Sequence, residues 1–404
     1  MVAGNLNILM VTPGYPPVSR GGGGIVSKAL AEGLAKRGHD VLVLAGRPQR
    51  MFYEKPYRSD IGRIKVFWVP LIRISGKKFS HFKEAFPPNL FSATFLKAIK
   101  YEEFDVIHLQ GIGHLLIDYI CFIANNSKKI LTVHAFPRYP EERGNILLKL
   151  LYGVYFSTLG RHTLDSAKIV TAVSSFSAMQ CIKRGVAPEK IRVIPNGIEL
   201  DNYHSVRPDE LARKFNIEDD DILILSISRV TWYKGFEYAL EAIHRIIKET
   251  RKPIKYMIIG DLEDKEYQLK LTRQISALGL QNNVIFTGFV SEEMKLQALT
   301  RADIFLAPSL HEGFGIVILE AMALGKPIIA SNCEGFRCIL KNMETGILVK
   351  PASSEDIANA LRCVLSNSEL RSKLSENASR EVKKYDWGRC VEKYEEIYKI
   401  ISES

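Results

Sequence analysis

The sequence predicts an α/β protein made of two Rossmann-like, doubly wound domains facing an interdomain cleft, and three observations predict it. Short β-branched runs alternate with longer helical patterns along the whole chain, the signature of parallel sheets covered by helices on both faces. The alternation restarts near residue 222, after the polar, turn-rich stretch PNGIELDNYHSVRPDE. A chain of 404 residues also provides for two to three domains of ordinary size.

In the first half the expected strands are Asn7 to Thr12, Asp40 to Ala45, Ile64 to Val69, Val106 to Gln110, Ile130 to His134, Ile169 to Val173 and Ile191 to Pro195. Between the first two, SKALAEGLAKR (Ser27 to Arg37) reads as a helix closed by Gly38. In the second half, strands are expected at Ile222 to Ser228, Ile254 to Ile259, Val284 to Phe286, Ile304 to Ala307 and Pro327 to Ser331, with a helix over Phe236 to Thr250. The hinge is placed at Asn196 to Tyr203, giving domains 1–197 and 198–382. The last stretch, YDWGRCVEKYEEIYKII, reads as an amphipathic helix with Trp387, Val391, Tyr394, Ile397, Tyr398 and Ile401 on its apolar side.

Fifty-five Lys and Arg against 45 Asp and Glu leave a net charge of +10, which favours anionic partners. No stacking or groove-reading motif accompanies that charge, so nucleic acid is not expected. The six cysteines, Cys121, Cys181, Cys333, Cys338, Cys363 and Cys390, lack zinc-ligand spacing and read as reduced thiols. The N-terminal apolar run is broken by Pro13, Gly14 and Pro16 too soon for a signal peptide. The apolar runs Leu115 to Ala124 and Ile146 to Leu159 fall short of the roughly 20 residues that span a bilayer. The expected location is cytoplasmic. The basic, aromatic stretch Arg73 to Phe86 offers peripheral contact with the inner face of a membrane, against a solvated loop and helix as the plainer reading.

Gly21, Gly22, Gly23 and Gly24 follow the first strand and precede the first helix, so their N–H groups can approach a phosphate. The pattern is not G-x-G-x-x-G, which leaves a flexible turn as the alternative. Arg229 and Lys234 fall in the loop after ILILSIS, where a fork and a point charge can together clamp a diphosphate. In SLHEGFGIVILEAMALGKPIIAS, Glu312 precedes a Gly313-Phe314-Gly315 turn, and a helix is expected from about Gly315. The N–H groups of Ile316 and Val317 would point at an anion, while Glu320, one turn further in, could accept from two vicinal hydroxyls. Pairing the two glutamates as glycosidase acid and base is disfavoured, because a turn and a helix interior give no reason to flank one glycosidic bond. Of the histidines, His134 ends a strand, His108 and His114 flank a strand end and could face an acceptor, His39 is taken as structural, and His311 stays open.

With these residues in view the sequence resembles the retaining, nucleotide-sugar-dependent glycosyltransferases of family 4, of the glycosyltransferase group 1 type, which share the GT-B fold. The likeness runs from Gly21 to Gly24 through His134, Pro195-Asn196-Gly197, Arg229, Lys234, Gly288, Glu312 to Glu320 and Thr345 to Val349. It implies a metal-independent transfer of a hexosyl group from a nucleoside diphosphate sugar, UDP-sugar favoured, to a hydroxyl acceptor that is saccharide or lipid-linked. The nucleotide sugar is a substrate, and no cofactor is expected. Arg229 and Lys234 would hold the diphosphate, Glu320 the ribose hydroxyls, and Glu312, Phe314, Gly315 and the turn amides the transferred sugar. Backbone near Phe289 and Val290 would meet the base, and His134 would line the sugar and acceptor side. The last helix, 383–404, would return to the N-terminal domain. A nucleotide-sugar epimerase of the same fold and a non-catalytic nucleotide-sugar-binding protein are the alternatives.

Overall fold

The structure is a computed structural model; it describes the chain except residues 1–4, 19–20, 50–54, 62–63, 73–89, 125–127, 137–145, 251, 263 and 404. The basic stretch Arg73 to Phe86 therefore lies outside the described residues.

Apolar β-branched runs form the strands because both sheet faces are covered: every residue of β1 (Asn7–Thr12) after the first is buried. The first half continues with α1 (Gly22–Lys36), β2 (Asp40–Gln49), β3 (Tyr57–Ile61), β4 (Ile64–Ile72), α2 (Leu90–Lys97), β5 (Val106–Gln110), α3 (Leu115–Ile123) and β6 (Lys129–Val133). Then come α4 (Ile146–Ser157), α5 (Leu159–Ser166), β7 (Ile169–Ala172), α6 (Ser175–Lys183) and β8 (Ile191–Val193). These strands make one sheet in the order β3-β4-β2-β1-β5-β6-β7-β8, parallel except for the antiparallel β3–β4 pair. The strand β3 is absent from the sequence expectation. Its YRSDI is largely polar because it closes a sheet edge, where none of its residues is fully buried.

The second half runs α7 (Asp209–Phe215), β9 (Ile222–Ile227), α8 (Phe236–Ile247), β10 (Ile254–Ile259), α9 (Lys265–Leu278), β11 (Val284–Gly288), α10 (Glu292–Arg301) and β12 (Ile304–Ala307). It ends with α11 (Ile316–Ala323), β13 (Ile328–Ser331), α12 (Glu334–Arg337), β14 (Ile347–Val349), α13 (Ser354–Ser366), α14 (Ser368–Glu381) and α15 (Trp387–Ser402). Its six strands lie in the order β11-β10-β9-β12-β13-β14, all parallel. Local chemistry sets the helix starts: Asp264, Ser291, Ser353 and Asn367 each accept from the backbone N–H three residues on. Chain order reverses between β1 and β5 in one sheet and between β9 and β12 in the other, the positions at which such sheets bind ligands.

The chain divides into two compact units, residues 1–196 with 387–404, and 197–386. Residues 383–386 stay with the second unit, where Ile198 N–H donates to Tyr385 O at 2.8 Å. The helix α15 packs on α1, and a Cβ on Gly33 would stand 2.5 Å from Val391 Cγ2, so only glycine permits this approach. Beside it, Arg37 Nε donates to Glu395 Oε2 at 2.8 Å, and His39 Nε2 lies 3.2 Å from Oε1. Burial works against the Glu395 charge, yet Arg37 holds its carboxyl below the usual range. His39 Nδ1 accepts from Leu6 N–H, so this histidine joins the strand entry to the last helix.

Among the described residues no helix is long and apolar enough to cross a membrane. On α4, Ile146, Leu150, Leu151 and Val154 are all at least half exposed.

Candidate active site

Two loops leave the carboxyl ends of β9 and β12 where the second sheet reverses its order. They are tied together by Leu310 N–H donating to Tyr233 O at 2.8 Å. Lys234, at the end of the short turn Trp232–Lys234, is buried, and its Nζ donates to Glu312 Oε2 at 2.5 Å. Burial alone would lower the Lys234 pKa, but the Glu312 carboxylate outweighs it and holds the ammonium above its ordinary value. The exposed Arg229 donates from Nη2 to Tyr233 OH at 2.9 Å. Ser228, Lys234, Ser309, Glu312, Val317 and Phe336 line a narrow crevice here.

The turn after Glu312 requires glycine: Gly315 has φ +102°, and a Cβ there would lie 2.6 Å from the Phe336 ring. Phe314 is buried with its ring edge toward Tyr385. Gly315 caps α11, whose Ile318 N–H returns to Gly315 O; the N–H groups of Ile316 and Val317 have no acceptor within the helix. This loop pair thus places an ammonium and a helix N-terminus at one sheet edge, both favourable to an anion.

Glu320 lies one turn into α11 and is buried. Its Oε1 accepts from Tyr203 OH at 2.8 Å and from Lys295 Nζ at 2.9 Å, whereas Oε2 is buried with no partner among the described residues. Two protein donors therefore already occupy Oε1. Nothing in the local sequence marks Tyr203, in the connecting segment, or Lys295, on α10, as partners of Glu320. Phe289 and Val290 follow β11 at the sheet edge, Phe289 half exposed and Val290 partly buried.

In the first unit the glycine run is corrected from a loop to a helix start. Gly22, Gly23 and Gly24 form the first turn of α1, and Gly24 and Ile25 N–H both reach Gly21 O. Only the Gly22 and Gly23 amides precede that bonding, so Gly24 has no N–H to offer a phosphate. His134 stands just past β6, with Nε2 3.0 Å from Gln110 Oε1. His108 is corrected from an acceptor-facing option to a core group: it is fully buried between Tyr398 OH, 2.5 Å from Nδ1, and Thr132 Oγ1, 2.6 Å from Nε2. His114 is the residue preceding α3, and His311 immediately precedes Glu312.

Burial, aided by a neighbouring histidine, pulls His108 down to about 3 and His134 to about 4, so both are neutral at pH 7. Unfolding restores the ordinary value of 6.5, and the unfolded chain then binds more protons below it. The stability these rings contribute is therefore full above pH 6.5 and lost as pH falls toward 4. From pH 7.5 to 5 the first unit should lose about 2 kcal/mol per histidine. Urea titrations at the two pH values check this; His108→Gln should remove about half the loss, and level stability contradicts the neutral pair.

The family described as Glycosyltransferase Family 4 matches residues 20–202, and that described as Glycosyl transferases group 1 matches residues 208–381. An uncharacterized glycosyltransferase of Methanocaldococcus jannaschii, MJ1607, is 30% identical over 98% of this chain and 99% of its own length. The N-acetyl-alpha-D-glucosaminyl L-malate synthase of Bacillus anthracis is 25% identical over 95% of this chain and 94% of its own. In fold, the chain is similar to Anabaena Alr3699/HepE in complex with UDP and glucose, with TM-score 0.76, 20% identity, and coverage of 97% of this chain and 99% of that one. Two matched families in succession and a relative alike from end to end lead to one conclusion: the chain belongs to the group 1, family 4 glycosyltransferases and is a transferase of the GT-B fold.

Proposed function

We propose that this enzyme is a metal-independent, retaining hexosyltransferase whose donor is a nucleoside diphosphate sugar, UDP-sugar favoured, and whose acceptor is a saccharide or lipid-linked hydroxyl. The observation that carries the reading is the meeting of the Lys234–Glu312 pair with the unbonded first-turn amides of α11 at the point where the sheet order reverses. The Anabaena protein's complex with UDP supports the choice of base. The apolar residues that α4 exposes support a lipid-linked acceptor and peripheral membrane contact.

In this reading Lys234, Arg229 and the Ile316 and Val317 amides stabilise the departing diphosphate, supplying the positive potential that a metal ion gives other transferases. Glu312, held by Lys234, orients hydroxyls of the transferred sugar beside Phe314 and Gly315, Glu320 binds ribose, and the backbone of Phe289 and Val290 meets the base. In the first unit, His134 meets the sugar and the Gly22 and Gly23 amides meet phosphate. The anomeric carbon's bond to the diphosphate breaks as its bond to the acceptor oxygen forms on the same face, and the acceptor's proton passes to the diphosphate. Glu312 is committed to Lys234, which argues against its serving as the nucleophile of a double displacement.

Thermal stabilisation by UDP, GDP and ADP sugars should single out the donor, since bound ligand raises apparent stability by mass action. With acceptor present, NMR of the first-formed product should show the donor's anomeric configuration, undiminished by EDTA. An inverted product overturns retention, and loss of transfer in EDTA restored by Mn²⁺ overturns metal independence. Isomerised donor without any acceptor would support the epimerase alternative.

A further inference from the structure

Tyr233 meets both cations of the loop after β9. Its hydroxyl accepts from Arg229 Nη2 at 2.9 Å, in a bond exposed to solvent, and its ring centre lies 5.4 Å from Lys234 Nζ. Burial opposes the Lys234 charge and Glu312 favours it; Arg229 adds a smaller opposing effect, so the two cations are near enough to repel each other. The backbone beneath them is fixed. Tyr233 O accepts from Leu310 N–H, and Gly235, at φ +67°, comes so near the facing loop that a Cβ would stand 2.3 Å from Pro308 O. The Tyr233 ring also meets Trp232 edge to face, with centres 5.8 Å apart.

A guanidinium and an ammonium donate hydrogen bonds and accept none. Toward Arg229 the phenol oxygen must therefore accept, which turns its own O–H away from the guanidinium, and among the described residues no acceptor receives that proton. A hydroxyl that accepts from a cation is polarised and donates more strongly. The partner that completes this arrangement is an anion that only accepts, which is the chemistry of a phosphoryl oxygen.

We propose that the Tyr233 hydroxyl is a third donor to the diphosphate, giving its O–H to a phosphoryl oxygen while Arg229 holds the phenol oxygen from the other side. This rests on the nucleotide reading above and adds to it a neutral donor beside the two charged ones. The hydrogen bond from Arg229 also keeps that mobile, exposed cation at the site against the repulsion of Lys234.

Isothermal titration of the full chain with UDP, GDP and ADP identifies the nucleoside diphosphate that binds most tightly; inorganic pyrophosphate and the matching nucleoside are then titrated as its competitors. Tyr233→Phe keeps the ring beside Lys234 and Trp232 and the backbone bond from Leu310, and removes the hydroxyl alone. The diphosphate and pyrophosphate should each bind this variant about tenfold or more weakly, as loss of a hydrogen bond to a charged group demands, and the nucleoside within about twofold of its former affinity. In an Arg229→Ala background the same substitution should still weaken the diphosphate by about threefold or more. Unchanged diphosphate affinity in Tyr233→Phe overturns the inference and leaves the nucleotide reading standing. Equal weakening of diphosphate and nucleoside does the same, because it marks a merely structural role for the hydroxyl. A loss that vanishes in the Arg229→Ala background overturns direct donation to the diphosphate. If none of the three diphosphates binds the unsubstituted protein, the nucleotide reading falls and this inference with it.

Discussion

Lys234→Ala lowers kcat for sugar transfer by roughly two to three orders of magnitude, the cost of removing one donor from a site that stabilises a departing anion. The ammonium is buried and held charged by Glu312, so it is oriented before any ligand arrives. Preorganised charge in a water-poor setting is worth more than the same charge on the surface, because no reorganisation is needed as the leaving group forms. The exposed Arg229, which donates to Tyr233 OH, should matter less than the buried Lys234 when each is replaced. Because Lys234 and Glu312 act as a pair, the double variant Lys234→Ala, Glu312→Ala should lose much less than the product of the single losses. Single-turnover rates at saturating donor, with melting temperatures recorded beside them, check the effect. A loss below tenfold in a folded Lys234→Ala protein would remove Lys234 from the machinery.

Tyr398→Ala destabilises the first unit by about 3–5 kcal/mol, the range for truncating a buried aromatic side chain. Tyr398 is fully buried, its ring edge meets His108, and its hydroxyl lies 2.5 Å from His108 Nδ1. The alanine variant leaves a cavity and leaves His108 Nδ1 only the long contact with Gln110 Nε2 at 3.5 Å, whereas Tyr398→Phe removes the hydroxyl's bond alone and should cost about 1–3 kcal/mol. A chain of two units need not unfold in one step, so the loss should be read from the first unit's own transition. Trp68 and Trp387 report on that unit, and Trp232 belongs to the other. Urea titration followed by fluorescence in a Trp232→Phe background measures it. A Tyr398→Ala protein within about 1 kcal/mol of its parent would contradict the packing of α15 described above.

The sequence alone determined the two-sheet α/β plan, because strands covered on both faces must be apolar throughout: NILMVT and ILILSI announce themselves without any partner. It also marked the turn Gly313-Phe314-Gly315 and the basic residues of the preceding loop, since chain reversals and charge are written locally. Other features are relations between distant residues. The helix start at Gly22 was hidden by glycine's poor helix propensity, which the packing of α1 on its sheet and on α15 overrides. His108 looked like a strand-end ligand until the tertiary structure laid Tyr398, nearly three hundred residues away, against its ring. Tyr203 and Lys295, brought in from a connecting segment and another helix, occupy one oxygen of Glu320, a pairing that no local pattern marks. Periodicity and turn chemistry act over a few residues and are legible along the chain. Which oxygen of a carboxylate is taken, and which histidine is sealed in the core, depend on burial and on donors that only folding brings within 3 Å.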